Sequence, residues 1–289
     1  MALLNNQTQI SILIEGLDHP EGVAWGLDGH LYAGGEDGQI YRINPNNHGI
    51  KEIANLGGGF VAGLALDANS NIYACHVDTH SVKMITPDGM VSTYSNGSAK
   101  HPFRIPNYPV FDNAGNLYVS DSGEFDISKS NGNIVKIPAG GGPGIIWEDR
   151  LKEFPNGMCL SPTRDALYVV LTFTTPGVYK IALQANGNPG DINTVVEMPD
   201  TSPDGVAFDT EGNLYISCYR PDRIYRLDPH GNLDVFAEDM TGHLLAAPTN
   251  IAFYGSDLSN LASANLGRWH ITKYNSEKTG VLLEYPNIQ

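Results

Sequence analysis

Pro203-Asp204-Gly205-Val206-Ala207-Phe208, with the turn Asp209-Thr210-Glu211-Gly212 and the pair Leu214-Tyr215 behind it, is one copy of a unit that recurs along the chain. Matching segments are Pro20-Glu21-Gly22-Val23-Ala24-Trp25, Val61-Ala62-Gly63-Leu64-Ala65-Leu66, Pro106-Asn107-Tyr108-Pro109-Val110-Phe111, Pro155-Asn156-Gly157-Met158-Cys159-Leu160 and Thr249-Asn250-Ile251-Ala252-Phe253. Their marked positions, Glu21, Ala62, Asn107, Asn156, Asp204 and Asn250, are spaced by 41, 45, 49, 48 and 46 residues. A repeat of that length holds about four strands, so the pattern predicts an all-β fold. The expected architecture is a six-bladed β-propeller with four-stranded blades around a central channel.

Within each repeat the marked residue opens a short apolar strand, and an Asp/Asn/Gly-rich turn ends it. A second strand follows with Tyr at its heart: Tyr32, Tyr73, Tyr118, Tyr168 and Tyr215. The distance from marked residue to Tyr is 11 residues in four of these repeats and 12 in the one from Asn156. Third strands such as Gln39-Ile40-Tyr41-Arg42-Ile43 alternate apolar and polar, as strands nearer the rim do. The sixth repeat is looser, as terminal repeats often are. Residues 10–14 read as an outer strand that completes the last blade, and Val281-Leu282-Leu283-Glu284-Tyr285 also reads as a strand. No linker interrupts the repeats, so a single propeller domain is expected over residues 1–289.

The chain has 32 acidic against 17 basic residues, a formal charge of −15. Such a charge repels phosphate backbones and anionic lipid heads, so neither nucleic acid nor a membrane is an expected partner. No apolar run approaches membrane-spanning length. Cys75, Cys159 and Cys218 lie inside apolar strand patterns without metal or disulfide spacing, which predicts reduced thiols and a cytoplasmic location. Residues 1–9 are polar and carry no charged-then-apolar signal, and the sequons at Asn6 and Asn96 matter only in a secreted protein. Oligomeric state is not written in the pattern.

One register position repeated around a propeller brings its side chains to one level at the axis. Here Glu21, Asn107, Asn156, Asp204 and Asn250 would meet there, two carboxylates and three carboxamides. Such an oxygen-rich set favours a hard divalent cation, calcium or magnesium, with manganese also admitted. One Asn or Asp at a strand start is ordinary turn chemistry, but unpaired buried carboxylates at equivalent places are costly without a partner. His76 and Asp121, at the ends of second strands, and Arg104, just before Asn107, are candidates for holding substrate. The Gly-x-Ser-x-Gly, His-Glu-x-x-His, Walker and dinucleotide Gly-x-Gly-x-x-Gly motifs are all missing.

Pro20-Glu21-Gly22, Arg104-Ile105-Pro106-Asn107 with Asp112, Pro155-Asn156-Gly157-Met158 with Leu160-Ser161-Pro162, and Pro203-Asp204-Gly205 with Asp209 and Gly212 stand in order at propeller spacing. Through them nearly the whole chain resembles the family of six-bladed propellers that holds gluconolactonase, senescence marker protein and luciferin-regenerating enzyme. The resemblance implies one catalytic divalent cation, calcium before zinc, magnesium or manganese, held at Glu21, Asn156 and Asp204. It places Asn107 beside the metal and assigns Arg104 to the substrate. The implied reaction is hydrolysis of a small-molecule lactone, with Asp204 as general base toward the attacking water. Tyr108 departs from the pattern, since many relatives carry Asp directly after this Asn. Two alternatives stay open: a calcium-dependent phosphotriesterase-like hydrolase, and a non-hydrolytic propeller of the NHL or strictosidine-synthase-like kind.

Overall fold

The computed structural model describes residues 10–126 and 128–288. The polar tract 1–9 and its sequon at Asn6 lie outside them. Among the described residues the strands form six four-stranded sheets and no helix occurs. These are the blades of a six-bladed propeller. Their inner strands are Val23–Trp25, Val61–Leu66, Pro106–Phe111, Pro155–Leu160, Ser202–Phe208 and Pro248–Tyr254. In the first five blades spatial order follows chain order from axis to rim. The sixth comprises Pro248–Tyr254, Asn260–Asn265 and His270–Asn275, with Ile10–Glu15 as its outermost strand. Ile10 pairs with Tyr274 and Glu15 with His270, so the start of the chain fastens the last blade to the first.

The Asp-rich turns and the recurrent Tyr are one device. Asp67 accepts hydrogen bonds from the amides of Asn69 (2.9 Å) and Asn71 (2.9 Å), from Asn71 Nδ2 (2.8 Å) and from Tyr73 Oη (3.1 Å). Asp209 does the same for Glu211 N (2.9 Å), Asn213 N (2.9 Å), Asn213 Nδ2 (2.7 Å) and Tyr215 Oη (3.4 Å). In the fourth blade the polarity is reversed: Ser161 Oγ donates to Asp165 (2.7 Å) and accepts from the Asp165 amide (3.0 Å). That turn is one residue longer, since Leu160 pairs with Leu167 where Phe208 pairs with Leu214. The 12-residue spacing in this repeat therefore arises in the turn and leaves the strand register intact.

The other side of each Tyr faces the next blade. Six core clusters fill the six blade junctions. Tyr73 meets Phe111 edge to face at 4.8 Å, Tyr168 meets Phe208 at 4.8 Å and Tyr215 meets Phe253 at 5.4 Å. Such T-shaped pairs match the positive ring edge to the negative ring face. At the junction of the sixth and first blades, Ala262 stands opposite Ala252 in the Tyr position, and Trp25 against Tyr254 (6.0 Å) fills the space instead.

Nearer the axis the inner strands crowd. A Cβ on Gly157 would lie 2.3 Å from the Asp204 carbonyl oxygen, and one on Gly22 would lie 2.3 Å from that of Ala62. Glycine after the marked residue is thus a requirement of the close approach between neighbouring strands.

Val281-Leu282-Leu283-Glu284-Tyr285, whose pattern reads as a strand, forms none. Ile10–Glu15 holds the rim of the sixth blade, and the segment runs instead across the channel end opposite the marked residues. The Val281 amide donates to Phe208 O (2.9 Å), Tyr285 Oη to Trp25 O (2.6 Å), and the Ala68 amide to Pro286 O (3.0 Å). With the inner strands it encloses an apolar cavity of about 70 Å³.

Candidate metal centre

A sharp corner precedes three of the inner strands. His19, Phe154 and Ala247 adopt φ of 39°, 62° and 50°, each directly before a proline. The proline then fixes extended geometry for the start of the strand. Glu21, Asn156 and Asn250 follow within a few residues, aimed by these corners. Asn107 and Asp204 stand at the same register of their own strands, and Ala62 fills the sixth slot. All six are buried.

Asp204 is the hub. Its Oδ2 accepts from Asn156 Nδ2 at 3.0 Å and its Oδ1 from Asn250 Nδ2 at 3.3 Å. Asn156 Nδ2 also donates to Thr172 Oγ1 at 3.1 Å, and Thr172 passes its own proton to Pro203 O at 2.8 Å. With its amide hydrogens directed at Asp204 and Thr172, Asn156 turns its carbonyl oxygen away from both. Burial pushes the Asp204 carboxyl up to about 7 despite the two amide donors. Burial and then the charge of Asp204 hold Glu21 well above the usual carboxylate range. The two acids therefore share one dry environment.

Hydroxyl groups tie this level together across the blades. Ser120 Oγ donates to Asn156 O (2.8 Å), Thr172 Oγ1 to Pro203 O, Ser217 Oγ to Thr249 O, and Thr249 Oγ1 to Glu21 O (2.8 Å). Each bond crosses from one blade to the next. Ser120 and Ser217 each lie two residues after the blade's Tyr, a signal available in the repeats.

Among the described residues, four buried side-chain oxygens at this end of the channel have no hydrogen-bond partner: Glu21 Oε2, Asn107 Oδ1, Asn156 Oδ1 and Asn250 Oδ1. Buried acceptors left bare are costly, and a cation satisfies several at once. The donors are all hard oxygens with two carboxylates among them. The residues present fit a divalent cation of the calcium type.

The remaining candidates have other partners. His76 Nε2 donates to Gly58 O at 2.8 Å, and its Nδ1 lies 2.7 Å from Thr79 Oγ1. Asp121 accepts from the amides of Arg104 (3.0 Å), Ile105 (2.8 Å) and Gly123 (3.2 Å), and burial still holds its carboxyl above the usual range against these lowering bonds. It anchors the loop that leads to Asn107. The Arg104 side chain is 43% exposed and stands 3.8 Å from Glu124. A separate group, Asp18, His19 and Glu36, has ligand atoms within 4.8 Å of one another in a more exposed position. Tyr108 is buried in the junction between the third and fourth blades.

The comparisons with known proteins agree with this architecture. A search of curated proteins gives no match. A gluconolactonase structure from Xanthomonas campestris superposes with a TM-score of 0.80 at 19% identity, covering 93% of this chain and 90% of that one. A luciferin-regenerating enzyme gives 0.77 at 16%, covering 96% and 100%. Regucalcin from Agrobacterium tumefaciens, described as a calcium-binding protein, gives 0.76 at 18%, covering 96% of each chain. At these identities the likeness is one of fold. In sequence, a model of the N-terminal region of strictosidine synthase-like proteins matches residues 4–43. The model described as the SMP-30/Gluconolactonase/LRE-like region matches residues 90–263, more than half of the chain, and includes the strands that carry Asn107, Asn156, Asp204 and Asn250. By that match the chain belongs to the SMP-30/gluconolactonase/LRE-like family.

Proposed function

We propose that this chain is a divalent-cation-dependent hydrolase that opens a small-molecule lactone. One observation carries the reading: Asp204, bonded to Asn156 and Asn250, stands among four buried oxygens that lack hydrogen-bond partners. Glu21, Asn156 and Asp204 would hold the cation, calcium by preference, with Asn107 and Asn250 beside it. A divalent cation bound there supplies Lewis-acid polarisation of the ester carbonyl. Asp204 is the residue to accept the proton of the attacking water. Two amide donors, from Asn156 and Asn250, fix the orientation of its carboxyl group. Asn107, through its buried side-chain oxygen, and Arg104 would hold the substrate. Membership of a family that includes gluconolactonase supports the reaction class. The three buried, unpaired thiols suit a cytoplasmic location, which belongs to the same proposal.

Metal analysis of the purified protein, followed by a lactone panel with and without chelator, tests this. Stoichiometric divalent metal and chelator-sensitive lactone opening are expected, and Asn156→Ala and Asp204→Ala should lose both. Full turnover in chelator, or in both variants, would overturn it. The strictosidine synthase-like match at residues 4–43 favours a second reading, a propeller that works without metal. In that case chelator would change neither thermal stability nor activity.

A further inference from the structure

The rim beside Asn156 carries an aromatic shelf. Phe125, Phe154 and Phe173 come from the loops of the third and fourth blades, with centroids 5.9 Å apart for Phe125 and Phe154 and 4.9 Å for Phe154 and Phe173. Phe125 is 73% exposed, and the other two rings are half-buried. The chain ties this shelf to the centre. Phe154 lies two residues before Asn156, and Phe173 follows Thr172. Thr172 takes the Asn156 amide hydrogen bond on its hydroxyl and donates its own amide to Phe154 O at 3.3 Å. Phe154 holds φ of 62°, a conformation a bulky residue rarely adopts, so its ring is held where it is against a backbone preference.

None of the three rings bears a hydrogen-bonding group. Among the charges alongside, Arg104 and Lys129 both pair with Glu124, the residue before Phe125. Polar groups, Glu124, Asn131, Lys152 and Glu153, line the cavity beside Phe154 and Phe173, and the ring faces themselves offer a hydroxyl group nothing to replace its water. An alkyl chain would find three adjoining apolar faces, each methylene taken from water tightening binding about fourfold when fully covered.

We propose that the Phe125–Phe154–Phe173 shelf binds the apolar tail of the substrate, so that the lactone opened here carries an alkyl substituent on its ring. The proposal rests on the lactone-hydrolase reading and adds the substrate class to it. Its test reads binding directly. Two non-hydrolysable lactams, unsubstituted δ-valerolactam and its 6-pentyl derivative, are titrated calorimetrically into the full chain with calcium and again with chelator. The pentyl lactam should bind about tenfold more tightly under both conditions. Phe125→Ala, at an exposed site, and Phe173→Ala should each cut that ratio below about threefold, and Phe173→Leu should restore part of it. Val235→Ala, at an exposed apolar residue on the outermost strand of the fifth blade, should leave the ratio unchanged. Equal affinity for the two lactams, no binding of either, or a ratio that survives both alanine variants overturns the shelf, whatever the enzyme does with lactones. A Phe-dependent ratio in a protein that opens no lactone keeps the shelf and removes the lactonase reading.

Discussion

Asn250 contributes a donor to Asp204 and a bare buried oxygen to the same centre, yet it is not one of the three residues proposed to hold the cation. Asn250→Ala should therefore weaken calcium binding about 10–100-fold by calorimetry while leaving the chain folded, as loss of an orienting neighbour does. An unchanged affinity would show that the bare oxygens do not act together. The raised carboxyls make a second prediction at this scale. Glu21 and Asp204 hold protons more tightly folded than unfolded. The folded state thus binds more protons between the ordinary carboxylate range and about 7, and the stability from this pair is lost as pH rises through that window. Calorimetric melting in chelator should give a lower midpoint at pH 8 than at pH 5.5. Calcium should reverse the order by binding the folded state alone. Asp204→Asn should flatten the pH dependence in chelator, and an equal slope in that variant would remove the assignment. The acids and amides were legible in the sequence because a fixed register repeats them. Arg104, His76 and Asp121 were legible only as polar residues near the mouth. Their partners are a carbonyl, a hydroxyl, amides and one glutamate brought in from loops, and no periodicity records such contacts.

At the scale of elements, the Asp turn and the glycine step decide where the inner strands lie. Asp209→Ala would leave two main-chain amides, one side-chain amide and the Tyr215 hydroxyl without their acceptor. The expected loss is about 2–3 kcal/mol in denaturant unfolding, with Tyr215→Phe costing far less. A loss no greater than that of Tyr215→Phe would show that the turn amides find other acceptors. Gly157→Ala would press a Cβ to 2.3 Å from the Asp204 carbonyl oxygen and should cost about 1–3 kcal/mol. Because the displaced strand carries Asp204, calcium affinity should fall with it; stability lost at full affinity would separate the glycine from the site. The turns and the Tyr were readable as separate features, and repeat length set the blade count. Their union was not readable, since only the fold shows that Tyr215 and its counterparts face a turn on one side and the next blade on the other. The last segment was misread for a related reason. Val281-Leu282-Leu283-Glu284-Tyr285 satisfies a strand pattern, but a strand also needs a free edge, and Ile10–Glu15 occupies it.

For the molecule as a whole, the two ends of the chain do different work. Ile10–Glu15 closes the ring by pairing with His270–Asn275, while residues 281–288 cross the channel and touch several blades. Arg164 in the fourth blade pairs with Glu284, Tyr285 bonds to Trp25 of the first, and Asn69 of the second bonds to Asn287. The crossing segment also roofs the apolar cavity, whose walls include Trp25, Phe111, Phe208 and Phe253. Removing residues 281–288 should therefore loosen the blades against one another and wet those walls without opening the ring. The expected result is a melting midpoint lower by roughly 5 °C or more and an increase in binding of a hydrophobic dye. Calcium affinity should stay within about twofold, since the bare oxygens sit at the other end of the channel and the corners that aim them do not contact the removed residues. A truncated chain with an unchanged midpoint would show that the segment lies against the propeller without bracing it. One that melts earlier and also loses calcium would show that the two channel ends are coupled, and that the inner strands transmit displacement along their whole length.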